Sequence, residues 1–346
     1  MSVFISHDES FDALLGDAPR LVRVVAADAH EGPVYAADED ALYFTTVPRR
    51  QSSGDPEVSI MRLALDGLRF PLETERVSVV VERANVANGM ALDREGRLVV
   101  CEQGTLSSPA RISRVDRHTR AAEILVEGIG RFRLNSPNDV VVRSDGTVWF
   151  TDPGYGHLQG FRPKPELGDL VYRYDPLRDR LTIAADSFDK PNGLAFSPDE
   201  QILYVADNGR PHHLLAFDVL PDGRLDNRRR VAVGTPEHPD GLKVDTEGRI
   251  YASALGGIHV FEPGGRLIGE IGLPGAVNFT FGGPDRNVLF ITVDSAIWAA
   301  VLSSKGASPW QSSERSESST MQAQTPSSRR QPRSRETVET VLSSLW

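Results

Sequence analysis

One pattern recurs along the chain and limits the possible folds more than any other feature. An Asn or Asp, in most copies followed by Gly, begins a short apolar run, and a polar turn then leads into a second apolar run. Short β-prone runs joined by Asp-Gly or Glu-Gly turns are typical of β-hairpins. The four clear copies are Asn88-Gly-Met-Ala-Leu-Asp93, Asn138-Asp-Val-Val-Val-Arg143, Asn192-Gly-Leu-Ala-Phe-Ser197 and Asp240-Gly-Leu-Lys-Val-Asp245.

Two weaker copies flank these four and bring the number of units to six. One begins at Glu31 and continues into Ala41-Leu-Tyr-Phe44, and the other begins at Asn278 and continues into Val288-Leu-Phe-Ile291. Further strand candidates, such as Leu170-Val-Tyr-Arg-Tyr174, lie between the units. Units of about four short strands that repeat every ~40–50 residues are the signature of propeller blades. The sequence therefore predicts an all-β, six-bladed β-propeller over residues 19–302, preceded by an N-terminal segment, 1–18.

The composition changes sharply after residue 302. The last 44 residues contain 13 serines and a cluster of arginines between Arg329 and Arg335. Such a stretch has too few apolar residues to offset the entropy of ordering it, so residues 303–346 are predicted to be a disordered, low-complexity tail.

Charge and cysteine content exclude several classes of function. The formal net charge is −10, which argues against broad nucleic-acid binding because that requires a basic surface. Cys101 is the single cysteine, so no intramolecular disulfide can form, and its apolar neighbours indicate a core position. Neither a membrane-spanning apolar run nor a signal-peptide pattern is found, and a soluble cytoplasmic protein without a membrane partner is expected. The oligomeric state is left open.

The first residues of the six units form the candidate site. In a propeller, the innermost strands line a central channel, so equivalent positions form a ring at one mouth. All six carry side-chain oxygens, which suits a hard cation such as Ca²⁺ or Mg²⁺. Turn preferences of Asn, Asp and Gly explain the same pattern equally well. The six residues are Glu31, Asn88, Asn138, Asn192, Asp240 and Asn278.

These motifs together resemble the gluconolactonase/regucalcin (senescence marker protein) family. The resemblance spans about residues 20–302, with six motifs in family order, and includes Phe281-Gly-Gly-Pro-Asp285 near its end. The motifs that carry it are Glu31-Gly-Pro33, Asn88-Gly-Met-Ala-Leu-Asp93, Asn135-Ser-Pro-Asn-Asp-Val-Val-Val142, Phe150-Thr-Asp-Pro-Gly-Tyr-Gly156, Pro191-Asn-Gly-Leu-Ala-Phe-Ser-Pro-Asp199 and Pro239-Asp-Gly-Leu-Lys-Val-Asp245.

The resemblance implies a lactone hydrolase with one divalent cation at the channel mouth. It places the metal ligands at Glu31, Asn192 and Asp240, with Asn138 beside the metal as ligand or substrate contact. Ca²⁺ is the expected ion, with Mg²⁺ or Zn²⁺ as alternatives. Asp240 is the first candidate for the catalytic base, and Glu102 or a metal-bound hydroxide remains open in that role.

Two departures from the family pattern concern the substrate. The regucalcin branch has an arginine where this chain has Ser136, and the bacterial branch often reads Cys-Glu-His-Gly where this chain reads Cys101-Glu-Gln-Gly104. Both bear on the identity of the substrate more than on the metal site, and Ser136 argues for a substrate other than the one that the regucalcin branch prefers. Asn88, Glu102 and Tyr155 join Asn138 as candidate substrate contacts.

Two other functions compete with a sugar lactonase. The same site could cleave another ester or a phosphotriester, and a propeller can also simply bind a ligand or protein partner. Two carboxylates at the channel mouth favour catalysis over binding alone, whereas the fold decides nothing because propellers host unrelated functions.

Overall fold

The six repeat units form six antiparallel sheets, as the sequence predicts. The structure, a computed structural model, describes residues 3–50, 54–210, 212–233 and 238–307. Blade 1 consists of Val34–Ala36, Ala41–Thr45, Ile60–Ala64 and Val77–Val81. Blade 2 consists of Ala87–Leu92, Leu98–Glu102, Arg111–Val115 and Ala122–Val126. Blade 3 consists of Val140–Val142, Val148–Asp152, Leu170–Asp175 and Arg180–Ala185.

Blades 4 to 6 follow the same four-stranded plan, and the strand nearest the channel comes first in the chain. Blade 6 is the exception, because its fourth strand comes from the N-terminal part of the chain. Blade 4 consists of Pro191–Phe196, Ile202–Asp207, His213–Val219 and Leu225–Val233. Blade 5 consists of Leu242–Val244, Ile250–Ala254, Gly257–Phe261 and Leu267–Gly272. Blade 6 consists of Asn278–Gly282, Val288–Val293, Ala296–Val301 and Arg20–Ala26.

Segments from the N-terminal part of the chain close the propeller and extend one blade. Arg20–Ala26 pairs antiparallel with Ala296–Val301, which joins the two ends of the repeat array. Phe4–Ser6 adds a fifth strand to blade 5 by pairing with Leu267–Gly272. The segment before residue 19 therefore belongs to the blade structure, since its backbone satisfies an otherwise open sheet edge.

The loops between the blade strands contain several short helices and hairpins, and a further helix lies near the N-terminus. Helix Glu9–Leu15 is capped by Asp8, whose carboxylate accepts a 2.9 Å hydrogen bond from the Ser10 N–H. The remaining elements are the helix Tyr155–Leu158, the 3₁₀ helix Thr74–Arg76, and the small hairpins Arg49–Arg50 with Pro56–Glu57 and Gly128–Ile129 with Phe132–Arg133.

Buried aromatic and aliphatic side chains from neighbouring blades fill the core. Trp149 of blade 3 is fully buried and meets Phe196 of blade 4 edge to face at 5.5 Å. Tyr251 and Phe281 make the same kind of contact between blades 5 and 6 at 5.1 Å. Cys101 is fully buried in the second strand of blade 2, as expected for a core cysteine.

The folded body continues past the predicted boundary at residue 303. The Ser303 N–H donates to the Leu14 carbonyl at 2.9 Å, and the Ala307 N–H donates to the Val244 carbonyl at 3.0 Å. The serine-rich composition led to a predicted boundary five residues too early, because the order of residues 303–307 comes from backbone hydrogen bonds to distant segments. Residues 308–346, the rest of the predicted tail, lie outside the described residues. No helix in the described ranges is long and apolar enough to cross a membrane.

Candidate metal and substrate site

Hydrogen bonds at three junctions between neighbouring blades join the predicted ring positions in pairs. Asn278 Nδ2 donates to Glu31 Oε2 at 2.7 Å across the closure between blades 6 and 1. Backbone bonds continue the ring from blade 2 to blade 3 and from blade 4 to blade 5. These run from the Gly89 N–H to the Asn138 carbonyl at 2.8 Å and from the Gly193 N–H to the Asp240 carbonyl at 3.0 Å.

Glycine after the ring residue is required by this close approach. A Cβ on Gly89 would lie 2.5 Å from Asp139 Oδ1, and one on Gly193 would lie 2.3 Å from the Asp240 carbonyl oxygen. A Cβ on Gly241 would lie 2.4 Å from Asn278 Oδ1. Because real Cβ atoms do not come this close, the recurring glycines let the ring residues of adjacent blades converge.

Two carboxylates share the mouth of the channel. Glu31 is buried, with 4% of its surface exposed, whereas Asp240 is partly buried. Burial raises the pKa of Glu31 and raises that of Asp240 well above its ordinary value, and the Glu31 charge adds to the effect on Asp240. No Lys or Arg side chain of the described residues forms a salt bridge with either, whereas the charge of His30 lowers the pKa of both.

Asn192 and Tyr155 complete this side of the mouth. Asn192 Nδ2 donates to the Tyr155 hydroxyl oxygen at 3.4 Å, and the Asn192 side chain also partly offsets the rise in the pKa of Asp240. Burial, followed by the charge of Asp240, raises the pKa of Tyr155, so its hydroxyl stays protonated. The structure therefore brings together Glu31, Asn192, Asp240 and Tyr155 from four different segments.

Asn88 and Asn138 lie on the ring in blades 2 and 3. The buried Asn88 Oδ1 has no hydrogen-bond partner among the described residues, which is costly unless another group binds there. The Asn138 backbone is fixed by its N–H, which donates to the Thr151 carbonyl at 2.9 Å. An unpartnered amide oxygen at a ring position is the kind of donor that Ca²⁺ prefers.

Glu102 is engaged inside blade 2. Its carboxylate accepts hydrogen bonds from Asn85 Nδ2 at 2.9 Å, Arg111 Nε at 2.6 Å and Ser113 Oγ at 2.5 Å. These bonds use both carboxylate oxygens and tie the end of the second strand to the loop before Asn88. Glu102 therefore stabilises the structure of blade 2. Asp240 is the more exposed of the two carboxylates.

Three further charged or titratable groups approach the mouth without having been singled out as ligands. Asp139 is buried, and its charge acts on both Glu31 and Asp240. Burial raises the pKa of Asp139, whereas the Lys243 charge lowers it. His30 Nδ1 lies 2.7 Å from Asp294 Oδ1, and the nearby carboxylates outweigh desolvation to raise the His30 pKa.

Two aspartates hold the loops that precede the ring asparagines. Asp152 accepts from the Asn135 and Ser136 N–H groups, both at 2.8 Å, just before Asn138. Asp207 accepts from the Lys190 N–H at 2.7 Å, just before Asn192. Both were missed at the sequence level, although an acid at the end of the second strand in blades 2, 3 and 4, at positions 102, 152 and 207, was a visible signal.

Hydroxyl side chains one position earlier on the second strands connect neighbouring blades. Thr151 Oγ1 donates to the Asn192 carbonyl at 2.8 Å, and Thr292 Oγ1 donates to the His30 carbonyl at 2.6 Å. Ser253 Oγ donates to the Val277 carbonyl at 2.6 Å. We call these interblade contacts the hydroxyl links, and each ends at, or one residue before, a ring residue of the next blade.

A second group with metal-ligand spacing lies at the opposite end of the blades, in the described part of the chain. It consists of Asp38, Glu39 and His118. Arg117 donates to both Asp38 and Glu39, so a guanidinium already neutralises these carboxylates. This cluster is therefore an ion-pair network and does not form a competing centre.

The fold and the ring define a class of protein, a six-bladed propeller with an oxygen-rich site at one channel mouth. The chain belongs to the SMP-30/gluconolactonase/LRE-like family, whose model matches residues 29–295. It is 34% identical over 281 residues to the gluconolactonase of Zymomonas mobilis, covering 76% of each chain. It is 27% identical to the pentonolactonase of Haloferax volcanii, covering 76% of this chain and 80% of that protein.

Solved structures agree with this assignment. A gluconolactonase from Xanthomonas campestris superposes with a TM-score of 0.74 at 35% identity, covering 87% of this chain and 95% of that one. The calcium-binding regucalcin of Agrobacterium tumefaciens superposes with a TM-score of 0.60 at 16% identity, covering 83% and 96%. The second similarity shows the shared fold alone.

Proposed function

We propose that the protein hydrolyses sugar lactones at the mouth of the propeller channel, in a reaction that depends on one divalent cation, Ca²⁺ before Mg²⁺ or Zn²⁺. The observation that carries the proposal is the meeting of Glu31 and Asp240 with Asn192 and Tyr155 at the oxygen-lined mouth. Relatives named gluconolactonase, lactonohydrolase and pentonolactonase support the substrate class.

The residues that would hold the cation are Glu31, Asn192 and Asp240, with Asn138 beside them. Two carboxylates with raised pKa values and an unpartnered amide oxygen on Asn88 make this part of the ring receptive to positive charge. When bound, a divalent cation polarises a carbonyl group and stabilises the negative charge that develops on its oxygen.

The chain's own residues would orient the lactone and move the proton. Asp240 is the best placed base, because it is partly exposed whereas Glu31 is buried. In the proposed step, a water oxygen attacks the carbonyl carbon while Asp240 accepts the water proton. The ring C–O bond then breaks, and the proton passes to the departing ring oxygen, which becomes a hydroxyl group.

Hydrolysis of glucono-1,5-lactone by the purified full chain tests the proposal. The protein is stripped with EDTA and assayed again after addition of Ca²⁺, Mg²⁺ or Zn²⁺. Activity that disappears with EDTA and returns with one ion is expected. Asp222→Asn and Ser197→Ala, which change residues outside the ring, are compared with Asp240→Asn, for which activity should fall at least a hundredfold.

The negative outcomes separate the alternatives. An inactive protein that still binds the ion would point to another ester or phosphotriester as substrate of the same site. An inactive protein that binds no ion would refute the proposal in favour of a propeller that only binds a ligand.

A further inference from the structure

One fully buried serine, Ser136, forms two hydrogen bonds to the turn that carries Tyr155. Ser136 Oγ donates to the Pro153 carbonyl at 2.6 Å and accepts from the Gly156 N–H at 3.0 Å. These two contacts bracket the turn on either side of Tyr155. The Ser136 side chain is 0% exposed, so water cannot replace its hydroxyl in these bonds.

Two acidic side chains fix the surroundings of the same turn. Asp152 accepts from the Ser136 N–H at 2.8 Å, which orients the serine. Asp169 accepts from the Gly154 N–H at 2.7 Å and from Lys190 Nζ at 2.7 Å, so it ties the turn to the loop before Asn192. The turn is therefore fixed to blade 3 by Ser136 and to blade 4 by Asp169.

Space inside the turn is restricted next to Tyr155. A Cβ on Gly156 would lie 2.3 Å from Arg162 Cγ, and Arg162 itself is buried and donates to the Asn135 carbonyl at 2.9 Å. With the backbone held on this side, the Tyr155 phenol extends to the ring and ends 3.4 Å from Asn192 Nδ2.

The Tyr155 hydroxyl has an unused donor in this position. Its oxygen accepts from Asn192, while its own proton has no acceptor among the described residues. Phenol hydroxyls are protonated near neutral pH. A protonated phenol at the edge of a polar site is suited to donate to a hydroxyl group of a bound ligand.

We propose that Ser136 is a positioning residue that selects the substrate class, because it holds Tyr155 where the phenol binds a ring hydroxyl of a polyhydroxylated lactone. Lactones without ring hydroxyls gain nothing from this contact. The inference rests on the proposed lactonase function and adds the feature by which the site would distinguish sugar lactones from unsubstituted ones.

Steady-state kinetics on two lactones tests the inference. Glucono-1,5-lactone carries ring hydroxyls, and δ-valerolactone has the same ring without them. Tyr155→Phe should lower kcat/KM for glucono-1,5-lactone about tenfold, mainly through KM, as expected for the loss of one uncompensated hydrogen bond. The same variant should change kcat/KM for δ-valerolactone by less than twofold.

The role of Ser136 is separated from a general structural role by a double-mutant cycle. Ser136→Ala should reduce the preference for glucono-1,5-lactone threefold to tenfold, and the double variant should match Tyr155→Phe alone, because Ser136 acts through Tyr155. Ser197→Ala and Tyr174→Phe are matched controls, since each loses a comparable hydrogen bond away from the mouth. Both controls should leave the preference unchanged.

Several results would overturn the inference. These are an equal loss on both lactones in Tyr155→Phe, additive losses in the double variant, or an unchanged preference in either single variant. If Ser136→Ala does not fold, Ser136→Cys takes its place in the same cycle, because a thiol keeps the size of the side chain and forms only weak hydrogen bonds.

A binding measurement keeps this inference distinct from the proposed function. Calorimetry with glucono-1,5-lactam, a non-hydrolysable analogue, should show about tenfold weaker binding to Tyr155→Phe than to the wild type. If the wild type hydrolyses neither lactone yet shows this difference, the lactonase proposal fails and the contact stands. Equal affinity of the two proteins, or no binding by the wild type, would refute the contact.

Discussion

Replacing Thr151 with valine tests whether the hydroxyl links hold the ring together. Thr151 is 0% exposed, its Oγ1 donates to the Asn192 carbonyl at 2.8 Å, and it accepts from the Asp139 N–H at 3.1 Å. Valine has nearly the same shape, so the change removes hydrogen bonds without opening a cavity. Each buried group left without its partner costs about 1–3 kcal/mol, which gives an expected destabilisation of roughly 2–4 kcal/mol.

Urea unfolding and Ca²⁺ calorimetry measure the two consequences of this substitution. The unfolding midpoint should fall with an unchanged m-value, and Ca²⁺ affinity should fall about tenfold because Asn192 loses its anchor, a factor equivalent to ~1.4 kcal/mol. Thr182→Val is the matched control. Its Oγ1 donates to the Arg173 carbonyl at 3.2 Å on an outer strand of the same blade.

The control should lose less than about 1 kcal/mol and keep its Ca²⁺ affinity. If Thr151→Val unfolds within about 0.5 kcal/mol of the wild type and binds Ca²⁺ equally well, the links do not organise the ring.

Three further predictions follow from the buried charges. Glu31→Gln and Asp240→Asn should each abolish Ca²⁺ binding in calorimetry. In EDTA, both variants should melt no lower than the wild type, because each removes one of two repelling carboxylates. A lower melting temperature would contradict this. Ca²⁺ at a hundred times its Kd should stabilise the wild type by about 2.7 kcal/mol and leave both variants unchanged, as thermal melts at several Ca²⁺ concentrations can show. Burial raises the pKa of Asp152 to about 7, so the folded protein keeps a proton that the unfolded chain loses above pH ~4. Relative to Asp152→Asn, the free energy of unfolding of the wild type should therefore fall by up to ~1.4 kcal/mol per pH unit between pH ~4 and 7. Urea unfolding at several pH values measures this fall, and the same pH dependence in both proteins would refute it.

The repeat in the sequence was sufficient to predict the blades and their order. Hairpin turns and β-prone runs are local signals, and a propeller converts their period directly into blade number. The same regularity predicted that residues such as Glu31 and Asp240, more than 200 positions apart, share one mouth. Their convergence follows from equivalent positions in equivalent blades, so no other contact had to be known.

Contacts that break the repeat could be seen only in the tertiary structure. Phe4–Ser6 extends blade 5 and Arg20–Ala26 closes blade 6, although neither segment carries the motif. Both pairings depend on open sheet edges that form only after the blades have assembled. The predicted boundary at residue 303 missed the hydrogen bonds that residues 303–307 make to distant segments.

The details of the site were likewise decided by tertiary structure. Sequence identified Tyr155 as a pocket candidate, but its distance from Asn192 depends on Ser136 and Asp169, which lie in different loops. The pKa values of Glu31 and Asp240 depend on burial and on each other, and neither quantity is encoded in a local motif. Local patterns determined which residues face the channel. Only packing between blades decided their distances, partners and charge, because those depend on segments that meet after folding.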